Sequence, residues 1–219
     1  MLSLAFPYRG RRPSTGFSII ELMIAITVVA IFIALGLPAF SEFLQNAKIR
    51  TAAESMRAGI QFAKSEALRR NTSVRFQLMT TLDSDCVANY EARNWVVSLD
   101  DAKGKCHATP SETDDPRILQ KKSAAEGTEG VAIMTNGPDV ANMLIFSGMG
   151  RLTNANWQRF SSVDISNPAG GTCRHDPSGG KMRCLRIEVT PNGDLRMCDP
   201  AVAAPVNSSD PVDPRQCKS

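Results

Sequence analysis

Histidine is scarce in this 219-residue chain: there are two copies, His107 and His175, and neither lies in a C-x-x-C, H-x-x-x-H or H-E-x-x-H spacing. Zinc sites built on those spacings are excluded, and no metal or other cofactor is expected. The G-x-S-x-G elbow, the P-loop and the dinucleotide fingerprint are missing too; Gly148-x-Gly150 is too short and lies between strand-like runs. Cys106 and His107 are adjacent, but neighbouring side chains on a strand point to opposite faces, so they form no nucleophile–base pair. Neither Asp83-Ser84-Asp85 nor Asp114-Asp115 continues into a twelve-residue calcium loop with a terminal Glu. Nothing here points to an enzyme. A strong basic surplus is also lacking. Residues 1–16 carry three Arg and no acid, residues 17–70 six basic and four acidic groups, and residues 71–219 sixteen and eighteen. A slightly acidic C-terminal part is not the footprint of a protein that lives by phosphate contacts.

What the chain does have is a long apolar run, Phe17 to Phe40, with one charged residue, Glu21, in 24 positions. As a helix it reaches roughly 36 Å, enough to cross a bilayer core of ~30 Å. Arg9, Arg11 and Arg12 precede it, so the positive-inside rule keeps residues 1–16 cytoplasmic and exports the rest. A cleaved secretory signal has a shorter apolar core and a small-residue cut site, whereas this run continues into Ser41-Glu42-Phe43. Glu21 needs a reason, because a carboxylate at membrane depth is costly and normally partnered.

Beyond the run, Phe40, Phe43, Leu44, Ala47, Ala53, Met56, Ile60, Ala63 and Ala67 recur at three- and four-residue steps, with charged and polar residues between them. The spacing predicts an amphipathic helix continuous with the apolar run, from Phe17 to about Arg70. Without a sustained heptad, its second half is expected to pack on the protein's own sheet. After Asn71, eight short β-like runs follow, at 73–78, 94–99, 117–121, 131–135, 143–146, 162–165, 185–190 and 195–198. Leu185, Ile187 and Val189 alternate with Arg186, Glu188 and Thr190 before Pro191-Asn192-Gly193, which predicts a terminal hairpin. Residues 100–130 and 199–219 read as long surface loops and a tail. The expected fold class is α+β: a long N-terminal helix on an antiparallel β-sheet head. The expected divisions are 1–16, 17–40, 41–70 and 71–219.

All six cysteines, Cys86, Cys106, Cys173, Cys184, Cys198 and Cys217, follow the membrane run. An even number in an exported segment predicts three disulfides. Pairing of sequence neighbours is one of about 15 possible connectivities.

Gly16-Phe17-Ser18-Ile19-Ile20-Glu21-Leu22 resembles the class III signal of type IV prepilins and pseudopilins. Ala63-Lys64-Ser65-Glu66-Ala67, Phe146-Ser147-Gly148-Met149-Gly150 and Asn192-Gly193-Asp194-Leu195-Arg196-Met197-Cys198 are similar to patches of GspH/FimT/FimU-type minor pilins. The resemblance implies a pilin-like fold and a leader, residues 1–16, cut by prepilin peptidase between Gly16 and Phe17. It also implies N-methylation of Phe17 and pairing of Glu21 with a neighbouring subunit's N-terminal amine. Gly36 and Pro38 sit where such helices carry a break. The implied location is the inner membrane, single-pass with a periplasmic head, and then a pilus or pseudopilus, with other pilins as partners. The implied role is initiation, assembly or the tip complex of a type IV pilus. The alternatives are a GspH-like pseudopilin of a type II secretion system and a DNA-capturing competence pilin. Candidate DNA contacts are Arg183, Arg186 and Arg196, near Arg174 and Lys181. Gly193-Asp194-Leu195-Arg196, however, puts an acid where that branch carries its first Arg, which weighs against phosphate binding.

Overall fold

Helix α1 runs over Ile19–Arg70. The computed structural model describes residues 16–124, 128–136, 142–153, 159–203, 205 and 211–218, with the side chains of residues 36, 38 and 39 excepted. The break expected at Gly36 and Pro38 falls on two of those excepted positions, and the leader arginines lie outside the described residues. The chain forms two units, Met1–Ser41 and Glu42–Ser219.

α1 ends where Asn71 turns into the left-handed region at φ 48°. The Asn71 N–H donates to Leu68 O (3.4 Å) and the Thr72 N–H to Ala67 O (3.3 Å), which closes the last carbonyls in a Schellman motif. Arg69 and Arg70 occupy the final turn, where cations suit the helix dipole.

Within Glu42–Ser219 the helix buries Ile49, Ala52, Ala53, Met56, Ile60, Ala63 and Ala67, each at most 2% exposed. The lower end of this stripe departs from expectation. Phe43 and Leu44 are 68% and 44% exposed, and Ala47 is exposed as well. Stepping back from Met56 by threes and fours leads to Ala52, Ile49 and then Gln45 and Asn46, so Phe43, Leu44 and Ala47 fall outside the stripe. The polar pair is held by the head: Asn167 Nδ2 donates to Gln45 Oε1 (2.6 Å), and the Arg183 N–H donates to Asn46 Oδ1 (2.7 Å). Higher up, a Cβ on Gly59 would sit 2.9 Å from Trp95 and 3.0 Å from Phe76, so the missing side chain lets the indole lie against the helix.

Among the described residues, eight strands follow: β1 (Val74–Met79), β2 (Asn94–Ser98), β3 (Ile118–Lys122), β4 (Ala132–Asn136), β5 (Met143–Phe146), β6 (Ser162–Ser166), β7 (Leu185–Val189) and β8 (Leu195–Cys198). They form two four-stranded antiparallel sheets, ordered β3-β2-β1-β5 and β4-β6-β7-β8, where a single sheet was expected. The chain changes sheet at β4, returns at β5 and changes again at β6. One core joins the helix stripe to Phe76, Leu78, Trp95, Leu144 and Phe146 of the first sheet and to Ile133, Val163, Ile165 and Ile187 of the second. Both sheets bury one face against the same helix, which is why one amphipathic stripe suffices for eight strands.

A second, smaller core lies around Met79, Val96, Ile118, Ala102, Cys86 and Cys106. Gln77, fully buried, donates to Asp101 Oδ1 (2.9 Å) and accepts the Ala102 N–H (3.1 Å). Residues 100–108 are thus partly core, contrary to their reading as surface loop. Their polar composition hid two small buried residues, Ala102 and Cys106.

Candidate assembly surfaces

In the first unit, Gly16, Phe17 and Ser18 precede the helix, and the Leu22 N–H donates to Ser18 O (3.1 Å) in its opening turn. Glu21 lies in that turn and is exposed. Every residue from Phe17 to Leu35 is exposed, with Phe17 at 83% and Ile19 at 79%. A contiguous apolar surface of this extent marks a partner or a membrane. Among the described residues no single helix is long and apolar enough to cross a membrane; Ile19–Leu35 and Phe40–Arg70 meet that test as a pair, by length and composition.

In the second unit, the three patches that resemble minor pilins meet in space. Lys64 Nζ donates to Gly193 O (2.8 Å) and reaches Asp194 Oδ1 (3.4 Å), tying the helix to the β7–β8 turn. A Cβ on Gly150 would stand 3.2 Å from Lys64 Cε and 3.3 Å from Leu68 Cδ2. Gly193, at φ 77°, presses its Cα against Gly150 O and the Phe146 ring so closely that a side chain there would clash. Exposed beside this junction are Leu68 at 49% and Met149 at 78%. Sequence reasoning named the patches but not their meeting. The one available signal was that Lys64 lies on the buried side of the helix, next to Ala63, where an ammonium needs acceptors.

On the opposite side of the helix from the junction, a cleft of about 410 Å³ is lined by Phe62, Glu66, Arg70, Glu112, Ile118 and Leu119 among others. Its charges are paired: Arg69 Nη2 and Arg70 Nε donate to Glu66 Oε2 (2.7 and 2.8 Å), and Arg70 Nη2 donates to Glu112 Oε1 (2.6 Å). Hydrogen bonds from Arg69, against the opposing effect of burial and with Arg70 adding to them, hold the Glu66 carboxyl below its ordinary range.

The candidate DNA contacts are not brought together as free cations. Arg186 grips Asp164 with two bonds (2.6 and 3.0 Å), and that pairing raises its pKa. Arg196 Nη2 donates to Pro214 O (2.9 Å) and Gln216 O (2.6 Å). Arg183 is exposed, and Arg174 Nε donates to Lys181 O (3.4 Å).

The cysteines form three disulfides, Cys86–Cys106, Cys173–Cys184 and Cys198–Cys217. Cys106 is therefore no nucleophile for His107. Among the described residues, one group of metal-ligand type gathers, Glu188 with Cys198 and Cys217, but its sulfurs are bonded to each other and offer no thiolate. Asp114 accepts from Ser111 Oγ (2.9 Å), Asp115 pairs with Lys105, and Asp85 accepts from Thr81 Oγ1 (2.9 Å).

An exposed apolar helix opening on Gly-Phe and Glu, whose lower half is the spine of a disulfide-braced β head, defines a pilin-type subunit. The family model described as Type II transport protein GspH matches residues 52–204, and the prokaryotic N-terminal methylation motif matches residues 11–37. The chain belongs to the GspH family and carries a prepilin-type, membrane-anchoring N-terminal helix. Among solved structures, the type IV minor pilin FimU of Pseudomonas aeruginosa is similar in two crystal forms, at 16% and 17% identity. Those matches cover 72% and 75% of this chain and 97% of FimU, with TM-scores of 0.40 and 0.41. The minor pseudopilin EpsH from the type 2 secretion system of Vibrio cholerae is similar at 13% identity, over 69% of this chain and 96% of EpsH, with a TM-score of 0.39. No curated protein sequence matches the chain.

Proposed function

We propose that the protein is a minor pilin acting in the initiation, assembly or tip complex of a type IV pilus, as a structural subunit without a catalytic step. The observation that carries this reading is Gly16-Phe17 and Glu21 at the start of a helix whose apolar residues are exposed as far as Leu35. Prepilin peptidase removes residues 1–16 on the cytoplasmic side of the inner membrane, and the new Phe17 amine is methylated. Glu21 then neutralises the amine of a neighbouring pilin, because opposite charges inside an apolar bundle avoid the penalty of an unpaired ion. A helix break at Gly36 and Pro38 lets the stem melt locally in the filament. The periplasmic head, 71–219, rides on the amphipathic half, 41–70, and meets other pilins. Gly16→Arg should block processing, read as an unchanged precursor mass.

A second reading, a pseudopilin of a type II secretion system, is favoured by the description of the matched family. DNA capture is disfavoured, since Arg186 and Arg196 are spent on Asp164 and on the C-terminal carbonyls. The discriminating experiment is the amount of pilus sheared from cells lacking the gene, against the complemented strain. Loss of pili supports the pilus reading. Normal pili with exoenzymes retained in the periplasm would transfer the protein to secretion.

A further inference from the structure

The C-terminal segment 211–218 is a strap laid back on β8. It is held covalently by Cys198–Cys217 and non-covalently by three contacts to one side of the strand: the Asp199 N–H donating to Arg215 O (2.7 Å), and Arg196 Nη2 donating to Pro214 O and Gln216 O. The three disulfides differ in what surrounds them. Cys86 and Cys106 are fully buried, Cys173 and Cys184 are at most 8% exposed, and Cys198 is 2% exposed. Cys217 alone is half-buried, so its disulfide is the one most open to attack by a thiolate from solvent. The first two pairs also sit inside the cores, whereas Cys198–Cys217 joins a strand to a surface segment.

The closed strap also carries a polar mismatch. Glu188 Oε1 and Gln216 Oε1 are buried and, among the described residues, make no hydrogen bond. A Glu188 oxygen lies within 4.8 Å of both sulfurs of the bond that holds the strap down. Lifting the strap returns both acceptors to water, so once the covalent tie is cut the balance shifts towards the open form.

We propose that the strap is a redox latch: Cys198–Cys217 is the one selectively reducible disulfide, and opening it frees residues 211–218 from β8 while the rest of the head stays folded. An external dithiol supplies the electrons. Its thiolate attacks Cys217 Sγ, forming a mixed disulfide and expelling Cys198 as a thiolate that takes a proton from water. The reagent's second thiol then closes on the mixed disulfide, releasing Cys217 and leaving the reagent as its cyclic disulfide. Arg196 is the second latch: its two hydrogen bonds seat residues 214–216 against β8, and the strap gives them up when it opens.

The test uses the full chain in detergent, treated with dithiothreitol without denaturant, alkylated with iodoacetamide and followed by peptide mass and amide exchange. Cys198 and Cys217 should be labelled at least about tenfold faster than the other four cysteines. Exchange over 211–218 should then rise about tenfold while β1, β2 and β6 keep their protection. Comparable labelling of Cys86–Cys106 or Cys173–Cys184 overturns the selectivity, and unchanged strap exchange, or loss of protection throughout the head, overturns the latch. In the oxidised protein, Arg196→Gln should speed exchange at 215–217; no change there removes Arg196 from the device.

Discussion

Glu21 is the only ionisable side chain between Phe17 and Phe40, and it stands in the first turn of an otherwise apolar exposed helix. If its charge serves subunit pairing, Glu21→Ala should leave the cut at Gly16–Phe17 intact and lower incorporation into filaments severalfold. Mature mass and immunoblots of sheared filaments read the two effects separately, and wild-type incorporation would sink the pairing account. Lys64 plays the corresponding part in the head. Its ammonium is the link between the helix and the β7–β8 turn, and its side chain is 27% exposed. Lys64→Met keeps the aliphatic stem but leaves Gly193 O without its donor, which should cost about 1–2 kcal/mol. Thermal melts and amide exchange over 190–198 measure it, and exchange unchanged at that turn would show the bond to be incidental.

Helix α1 works as a spine whose stripe is read by two sheets at once, so core truncations there should be costlier than in any one strand. Ile60, fully buried, is a fair probe: Ile60→Ala should destabilise the head by about 2–5 kcal/mol, measured by denaturant unfolding. The C-terminal end of the same helix has a pH dependence whose sign follows from Glu66. Its carboxyl is depressed by hydrogen bonding to Arg69, with burial opposing and Arg70 assisting. A depressed carboxyl contributes fully above its unfolded value of about 4.3 and loses that contribution as pH falls through the lower folded value. The stability difference between the wild type and Glu66→Gln should therefore be constant from neutral pH down to about pH 5 and shrink below about pH 4. A difference that grows on acidification would contradict the pairing with Arg69 and Arg70.

Among the described residues, the core lies in Glu42–Ser219, while the apolar residues from Phe17 to Leu35 are exposed. Deleting residues 1–41 should leave a soluble head with three disulfides and a Tm within about 3 °C of the intact chain. Calorimetry on the truncated protein checks this, and a collapsed Tm would mean that the apolar segment stabilises the head. Solubility without the segment and dependence on detergent with it are the two halves of one statement about where the exposed apolar surface lies.

Much of this architecture is legible along the chain. The Gly-Phe-Glu motif, the apolar run, the three- and four-residue steps of the helix and the alternation of Leu185, Ile187 and Val189 are properties of contiguous residues. Local sterics and periodicity convert such patterns directly into helix and strand. The strand positions needed no more than that, nor did the β7–β8 hairpin, whose ends are joined by a short turn. Other features rest on residues far apart in the chain. Nothing near β4 or β5 says that they belong to different sheets, because alternation specifies which side of a strand is apolar and not which strand lies beside it. The phase of the helix stripe depended on Gln45 and Asn46 finding Asn167 and the Arg183 amide. The meeting of Lys64 with Gly193, and of Arg196 with the C-terminal carbonyls, likewise required closure of the head. Those pairings form when burial of both sheets against one helix brings distant edges together, and that free energy belongs to the assembled core rather than to any segment of it.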